Sequence, residues 1–199
     1  MKKLLVIGVA LVLAGGLYAQ GYVGLKGGLN YGSWNPDVAD MDAWTGLGYH
    51  FGLEAGYMPM PMVAVDIGGF YYIGKWSTTV DDVETDMTIN SIYIPLSVKY
   101  IFTAAPTVNP FVKAGAGMMM QNSGTVSVDG EETDIDDEDL ETDWYVFGGL
   151  GVDVSVAQSI SVRPDITFQY NLTADDDETE EASESMYDFL FSLGFYYSF

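Results

Sequence analysis

The run Tyr187-Asp188-Phe189-Leu190-Phe191-Ser192-Leu193-Gly194-Phe195-Tyr196-Tyr197-Ser198-Phe199 closes the chain and decides its fold. Every odd-numbered residue in it is large and apolar or aromatic, while the even-numbered ones are mostly small or polar. A β-strand sends successive side chains to opposite faces, so this run reads as a strand with one strongly apolar face.

The same period of two recurs upstream. Val23, Leu25, Leu29 and Tyr31 alternate with Gly24, Lys26, Gly28 and Asn30. A second segment sets Leu47, Tyr49, Phe51, Leu53, Ala55 and Tyr57 against Gly48, His50, Gly52, Glu54 and Gly56. In a third, Val63, Val65, Ile67, Tyr71 and Ile73 oppose Ala64, Asp66, Gly68, Phe70, Tyr72 and Gly74. Ile92 to Tyr100, Val112 to Met119, Gly149 to Val156 and Ile160 to Leu172 repeat the pattern, which predicts eight strands in all. The connections alternate as well. Those at 58–62, 103–109 and 157–159 are short, whereas Gly32 to Gly46, Ser77 to Met87, Asn122 to Asp143 and Thr173 to Met186 are long and polar. Short turns at one end and long loops at the other suit an up-and-down barrel crossing an outer membrane, with both termini on the periplasmic side. Pro95 and Pro164 fall within predicted strands and each removes a ladder donor, so a bulge or local break is expected at both.

The choice between a membrane barrel and a soluble, lipocalin-like ligand-binding barrel turns on which face is inside. The face opposite the large apolar residues carries Lys26, Glu54, Asp66, Lys99, Lys113, Asp153, Arg163, Asp165 and Asp188, together with many of the glycines. Eight strands enclose little room, so small residues and compact ion pairs fit the interior. Buried charges must be balanced, and four bases against five acids come close. Tyr31, Tyr57, Tyr100, Tyr170, Tyr187, Tyr197 and Phe199 sit near strand ends, where interfacial girdles belong. The expected fold is therefore all-β: an eight-stranded antiparallel up-and-down transmembrane barrel over residues 20–199. The soluble barrel stands as the alternative.

Composition agrees. Aromatics make up 14 % of 199 residues, which excludes disorder. A net charge of −22 argues against nucleic acid as a partner. The chain has no Cys, so neither a disulfide framework nor a lipidated cysteine is available. At the N-terminus, Lys2 and Lys3 precede an apolar run from Leu4 to Leu17 and a small-residue site at Ala19-Gln20. That is the grammar of a signal peptide over residues 1–19, and it places the protein in the bacterial outer membrane after export.

Two stretches carry a family resemblance. Ser192 to Phe199 resembles the C-terminal signal of bacterial outer-membrane proteins, which implies recognition by the barrel-assembly machinery through Gly194, Tyr197 and Phe199. Tyr93-Ile94-Pro95-Leu96-Ser97-Val98-Lys99-Tyr100, followed by Asn109-Pro110-Phe111-Val112-Lys113-Ala114-Gly115, resembles the small outer-membrane barrels of the PorT-like and OmpX-like kind. The resemblance implies architecture and membrane but no activity, because such barrels host many roles.

Candidate sites are few. His50 is the lone histidine and lies on the inward face near Glu54, but no Ser is close in sequence, so no catalytic residue is expected. The inward bases could line a narrow pore; pairing with the inward acids to fill the lumen is the expected arrangement. Acidic stretches stand out at 129–143 and 175–184. Of these, Asp134, Asp136, Glu138, Asp176 and Glu178 are weak candidates for loosely bound Ca²⁺. No stretch fits an EF-hand loop, and like-charged runs ordinarily keep exposed loops solvated. No firm cofactor is expected. The reading is a monomeric outer-membrane barrel, surrounded by lipid, with a structural or surface-interaction role.

Overall fold

Alternation becomes architecture in the computed structural model, which describes residues 20–35, 43–80, 83–103, 105–128, 131–135, 140–173 and 185–199. The expected signal peptide at 1–19 lies outside the described residues. Nine strands follow in chain order: β1 (Gln20–Asn35), β2 (Trp44–Met60), β3 (Val63–Val80), β4 (Val83–Ile101), β5 (Val108–Val128), β6 (Glu131–Asp134), β7 (Thr142–Ala157), β8 (Ile160–Asn171) and β9 (Ser185–Ser198). Eight of them form an antiparallel barrel in which each pairs with its neighbours, and β1 closes the ring on β9 through pairs such as Leu25–Phe195 and Leu29–Phe191. Closure leaves no barrel strand with an unpaired edge, as a lipid environment requires. The ninth strand, β6, is a short hairpin return that pairs only with the outer end of β5, from Val128–Glu131 to Thr125–Asp134.

The faces divide as alternation predicts. Leu25, Phe51, Leu53, Ile67, Leu96, Leu150, Phe191 and Phe195 are exposed outward. Lys26, Glu54, Asp66, Lys99, Arg163 and Asp165 are buried inward. A soluble barrel would hide the first set and wet the second. This arrangement is that of a membrane barrel.

The strands run further than the hydrophobic pattern does. The ladder of β1 and β2 continues to Trp34–Trp44, and that of β3 and β4 continues to Val80–Val83. Two segments predicted as long loops, Gly32 to Gly46 and Ser77 to Met87, are thus largely hairpin. A third, Asn122 to Asp143, contributes the end of β5, all of β6 and the start of β7. Inside lipid the outward face must be apolar; above it that face meets water, so Lys75, Ser77 and Thr79 keep the ladder without showing the contrast, although Trp76 and Thr78 between them stay buried.

Both prolines interrupt pairing without shifting it. Opposite Pro95, the β3–β4 ladder skips from Ile67–Leu96 to Phe70–Tyr93 in unchanged register, while Pro95 stays paired with Gly117 across β5. Opposite Pro164, the β7–β8 ladder skips from Gly151–Asp165 to Val154–Val162, while Pro164 stays paired with Leu193 on β9. Each is a local break on one side of its strand, as a missing N–H demands.

Candidate functional site

Inward side chains stack in layers along the lumen, and the layers differ in chemistry. Nearest the chain termini, Tyr22, Ala64, Ile101, Phe111 and Tyr196 form an apolar floor. Glycines make room for its rings. A Cβ on Gly24 or Gly194 would collide with the Tyr196 ring, and one on Gly56 with Tyr22.

Above the floor lies a band of ion pairs. Asp165 on β8 bridges two bases, with Lys26 Nζ 2.8 Å from one carboxylate oxygen and Lys113 Nζ 2.7 Å from the other. Lys26 also stands 3.6 Å from Glu54, which in turn is 3.4 Å from Arg163. The Arg163 guanidinium donates to Asp153 at 2.6 Å and lies over the Tyr196 ring, 3.9 Å from its centroid. Lys99 is 3.1 Å from Asp66 and donates to the Tyr22 hydroxyl at 2.6 Å; that hydroxyl also bonds Asp66. Tyr196 donates to Glu54 at 2.8 Å. Four bases thus meet four acids, the condition under which buried charge is tolerated.

One expectation fails here. Asp188 was read as a fifth acid in this network, but it lies in a higher layer, opposite Gly32 on β1, away from all four bases. Sequence gives the face a residue occupies; only register gives its height.

His50 sits at the top of the charged band. Its Nε2 lies 3.0 Å from Ser192 Oγ, a contact between residues 142 apart in sequence. Barrel closure makes it: Gly28 on β1 pairs with His50 on one side and Ser192 on the other. No reading of residues near His50 could have found this serine. Among the described residues His50 Nδ1 has no hydrogen-bond partner; the ring is held by stacking on Tyr72 and not by the carboxylate that would complete a catalytic triad. The cavity beside it, lined by Lys26, His50, Glu54, Lys113 and Ser192 among others, is about 30 Å³. That is room for a water or two and not for a substrate.

A lid of rings closes the lumen above. Phe70, Tyr72, Tyr93, Met119, Tyr145 and Leu190 pack together, with Tyr93 edge-on to both Tyr72 and Tyr145 at 6.4 Å. Over this lid opens an outer cup of about 250 Å³, whose lining includes Trp34, Trp76, Met119, Asp143, Tyr145 and Met186. At the end nearest the short turns, a vestibule of about 330 Å³ is lined by Tyr22 and Ile101 of the floor and reaches past them to Arg163 and Asp153.

Of the weak metal candidates, Asp134 is exposed on β6, and Asp136, Glu138, Asp176 and Glu178 lie outside the described residues. Among the described residues no group of three or more His, Cys, Asp or Glu could hold a metal ion. At the C-terminus, Tyr197 and Phe199 point outward, 55 % and 73 % exposed, and Gly194 faces the lumen.

The sequence matches the family described as "Outer membrane protein beta-barrel domain" over residues 4–199. No curated protein matches it. Among solved structures it is similar to OprG of Pseudomonas aeruginosa, with a TM-score of 0.57 at 13 % identity over 90 % of this chain and 95 % of that one. Neisserial surface protein A superposes with a TM-score of 0.52 at 16 % identity, over 90 % and 97 % of the two chains. The outer membrane protease OmpT of Escherichia coli gives 0.53 at 10 % identity, again over 90 % and 97 %. At these identities the likeness is one of fold.

Proposed function

This chain belongs to the outer membrane protein beta-barrel family, and within it we propose a closed, non-conducting barrel whose working surface is its outer end. The observation that carries this reading is the blocked lumen. A floor of rings, a balanced band of ion pairs and a lid of rings follow one another, with a cavity of only about 30 Å³ among them. Eight strands leave just enough width for side chains, and here side chains fill it. A pair such as His50–Ser192, with no hydrogen-bond partner at Nδ1 among the described residues and no substrate space, is an interior hydrogen bond and supports no hydrolytic role.

On this reading residues 1–19 direct export, and the C-terminal signature with Gly194, Tyr197 and Phe199 hands the chain to the barrel-assembly machinery. The barrel then presents its acidic outer segments as a monomer. Any Ca²⁺ held by those segments is loose and exchangeable.

Planar-bilayer recording tests the closed lumen. Purified full-length protein inserted in 1 M KCl should leave the baseline free of discrete current steps. Reproducible steps of uniform size would establish a pore and overturn the reading.

A further inference from the structure

Two carboxylates at the outer end of the lumen lack any positive partner. Asp188 is 1 % exposed; its Oδ2 accepts from Gln169 Nε2 at 2.9 Å, and its other polar neighbour is the Tyr72 hydroxyl, so both partners are neutral. Asp143, on the wall of the outer cup, is 8 % exposed and is held by neutral donors alone. These are Gln121 at 2.9 Å, Asn171 at 3.1 Å and Thr173 at 2.9 Å.

The chain has no base left to supply. Of its seven Lys and Arg, four lie in the ion-paired band and Lys75 stands exposed on the outer face. Lys2 and Lys3 precede β1, which begins at the opposite end of the barrel. The segments between strands that lie outside the described residues contain no Lys or Arg at all. A buried carboxylate without a counter-charge is costly, and a cation from outside would offset that cost.

The surroundings say which kind. The row that runs across the sheet from Asp188 passes Gly32, then Gly46, and reaches Trp76, since Asp188 pairs with Gly32, Gly32 with Gly46, and Thr45 with Ser77. With no side chain on either glycine, the Trp76 indole leans back over the gap. A Cβ on Gly32 would lie 2.8 Å from the indole nitrogen and would collide with Asp188 Oδ1. Asp188 therefore lies directly behind a ring that lines the cup, close enough for its charge to act there. Trp34, Tyr145, Met119 and Met186 complete a largely apolar wall. A hard metal ion needs six or more oxygen ligands, and amide and hydroxyl donors already face Asp143. Aromatic faces beside carboxylates suit an ammonium group on an apolar stem, through charge and cation–π attraction together.

We propose that the outer cup over Trp76 and Tyr145, walled by Asp143 and floored toward Asp188, binds an alkylammonium cation. This rests on the outer end being the working surface and adds the chemical class of what it takes. Acidic residues at this end of the barrel, Glu131, Glu132 and Glu141 among them, raise the local concentration of cations by their field. The shared chemistry belongs equally to a free amine and to a lysine side chain of an exposed peptide.

Calorimetric titration of the full chain in non-ionic alkyl glucoside micelles with n-butylammonium chloride tests the proposal, with n-butanol as the neutral isostere. Saturable binding of the ammonium and none of the alcohol is expected. Asp188→Asn and Asp143→Asn should each weaken binding about tenfold or more, since truncating one partner of a buried charge pair loses at least that much. Gly32→Ala, which keeps every charge but pushes Asp188 and the Trp76 indole out of place, should weaken it as well. An unchanged heat-dependent gel shift shows that each variant is folded. If the asparagine variants fail to fold, the comparison of ammonium with alcohol on the unaltered protein decides alone. A parallel titration with Nα-acetyl-lysine N-methylamide separates the sources. Equal or tighter binding assigns the cup to a lysine side chain, and binding of butylammonium alone assigns it to a free amine. No saturable heat with either, equal binding of the alcohol, or affinity unchanged in Asp188→Asn and abolished by 1 M salt would overturn the proposal. Such a failure leaves the bilayer recording untouched, so the closed lumen and the cup stand or fall separately.

Discussion

Asp165 and Asp188 are both buried inward carboxylates, on neighbouring strands, yet they live in opposite electrostatic worlds. Asp165 sits between two lysines at 2.7 and 2.8 Å, whereas Asp188 has only neutral partners, the Gln169 amide and the Tyr72 hydroxyl. Burial alone therefore says little about a carboxylate's contribution. The same side chain holds the barrel together where it has positive partners and works against it where it has none. A structure that retains the second kind is using it for something other than its own stability, which is why the outer cup carries a ligand proposal and the charged band does not.

One substitution made at both depths puts the comparison at risk. Asp165→Asn leaves Lys26 and Lys113 short of a counter-charge and should destabilise the barrel by about 3–5 kcal/mol, the cost of breaking a buried pair. Urea unfolding in detergent micelles reads this, and a loss below about 1 kcal/mol, within the range of exposed pairs, would show that the band is solvated. Crowding the floor comes next. Gly194→Val would drive a branched side chain into Tyr196, costing about 1–3 kcal/mol by overpacking. By contrast, Gly69→Ala should be neutral or slightly favourable, because nothing lies within 4 Å of its Cβ position. Asp188→Asn, with no amine present, should leave stability unchanged or raise it by about 1 kcal/mol, the reverse of its effect at Asp165. Equal losses at the two sites would erase the distinction. A small effect is likewise expected from His50→Gln, which gives up the contact to Ser192 and should cost about 1 kcal/mol or less.

The legible part of the fold was the part that lipid dictates. Leu25, Leu53, Ile67 and Phe195 must face hydrocarbon, so alternation is sharp there and the inward charges fall out by subtraction. The same rule explains the lost outer strand ends: where Thr78 and Thr85 pair above the lipid, hydropathy carries no signal although the hydrogen bonds continue. The sixth predicted strand began at Gly149, and the inward Asp143, Tyr145 and Phe147 of β7 went unnoticed for that reason. The candidate site was less visible still. Period two assigns Asp188 and Lys26 to one face, but their separation along the axis is set by stagger between strands. His50 and Ser192 meet only because the ends of the chain close the ring.

The extended ladders have a mechanical consequence. On β3 the last outward apolar residue is Ile73, and the strand then continues through Lys75, Ser77 and Thr79 to Val80. Tilted as barrel strands are, those residues lift the hairpin tip roughly 15 Å beyond the hydrocarbon. The headgroup layer is only about 6 Å deep on each side and screening in physiological salt acts over about 8 Å, so the tip stands beyond both. The hydrogen-bonded wall is therefore a pedestal: it carries acidic residues such as Asp86, Glu131 and Glu132 clear of the anionic membrane that would otherwise repel them.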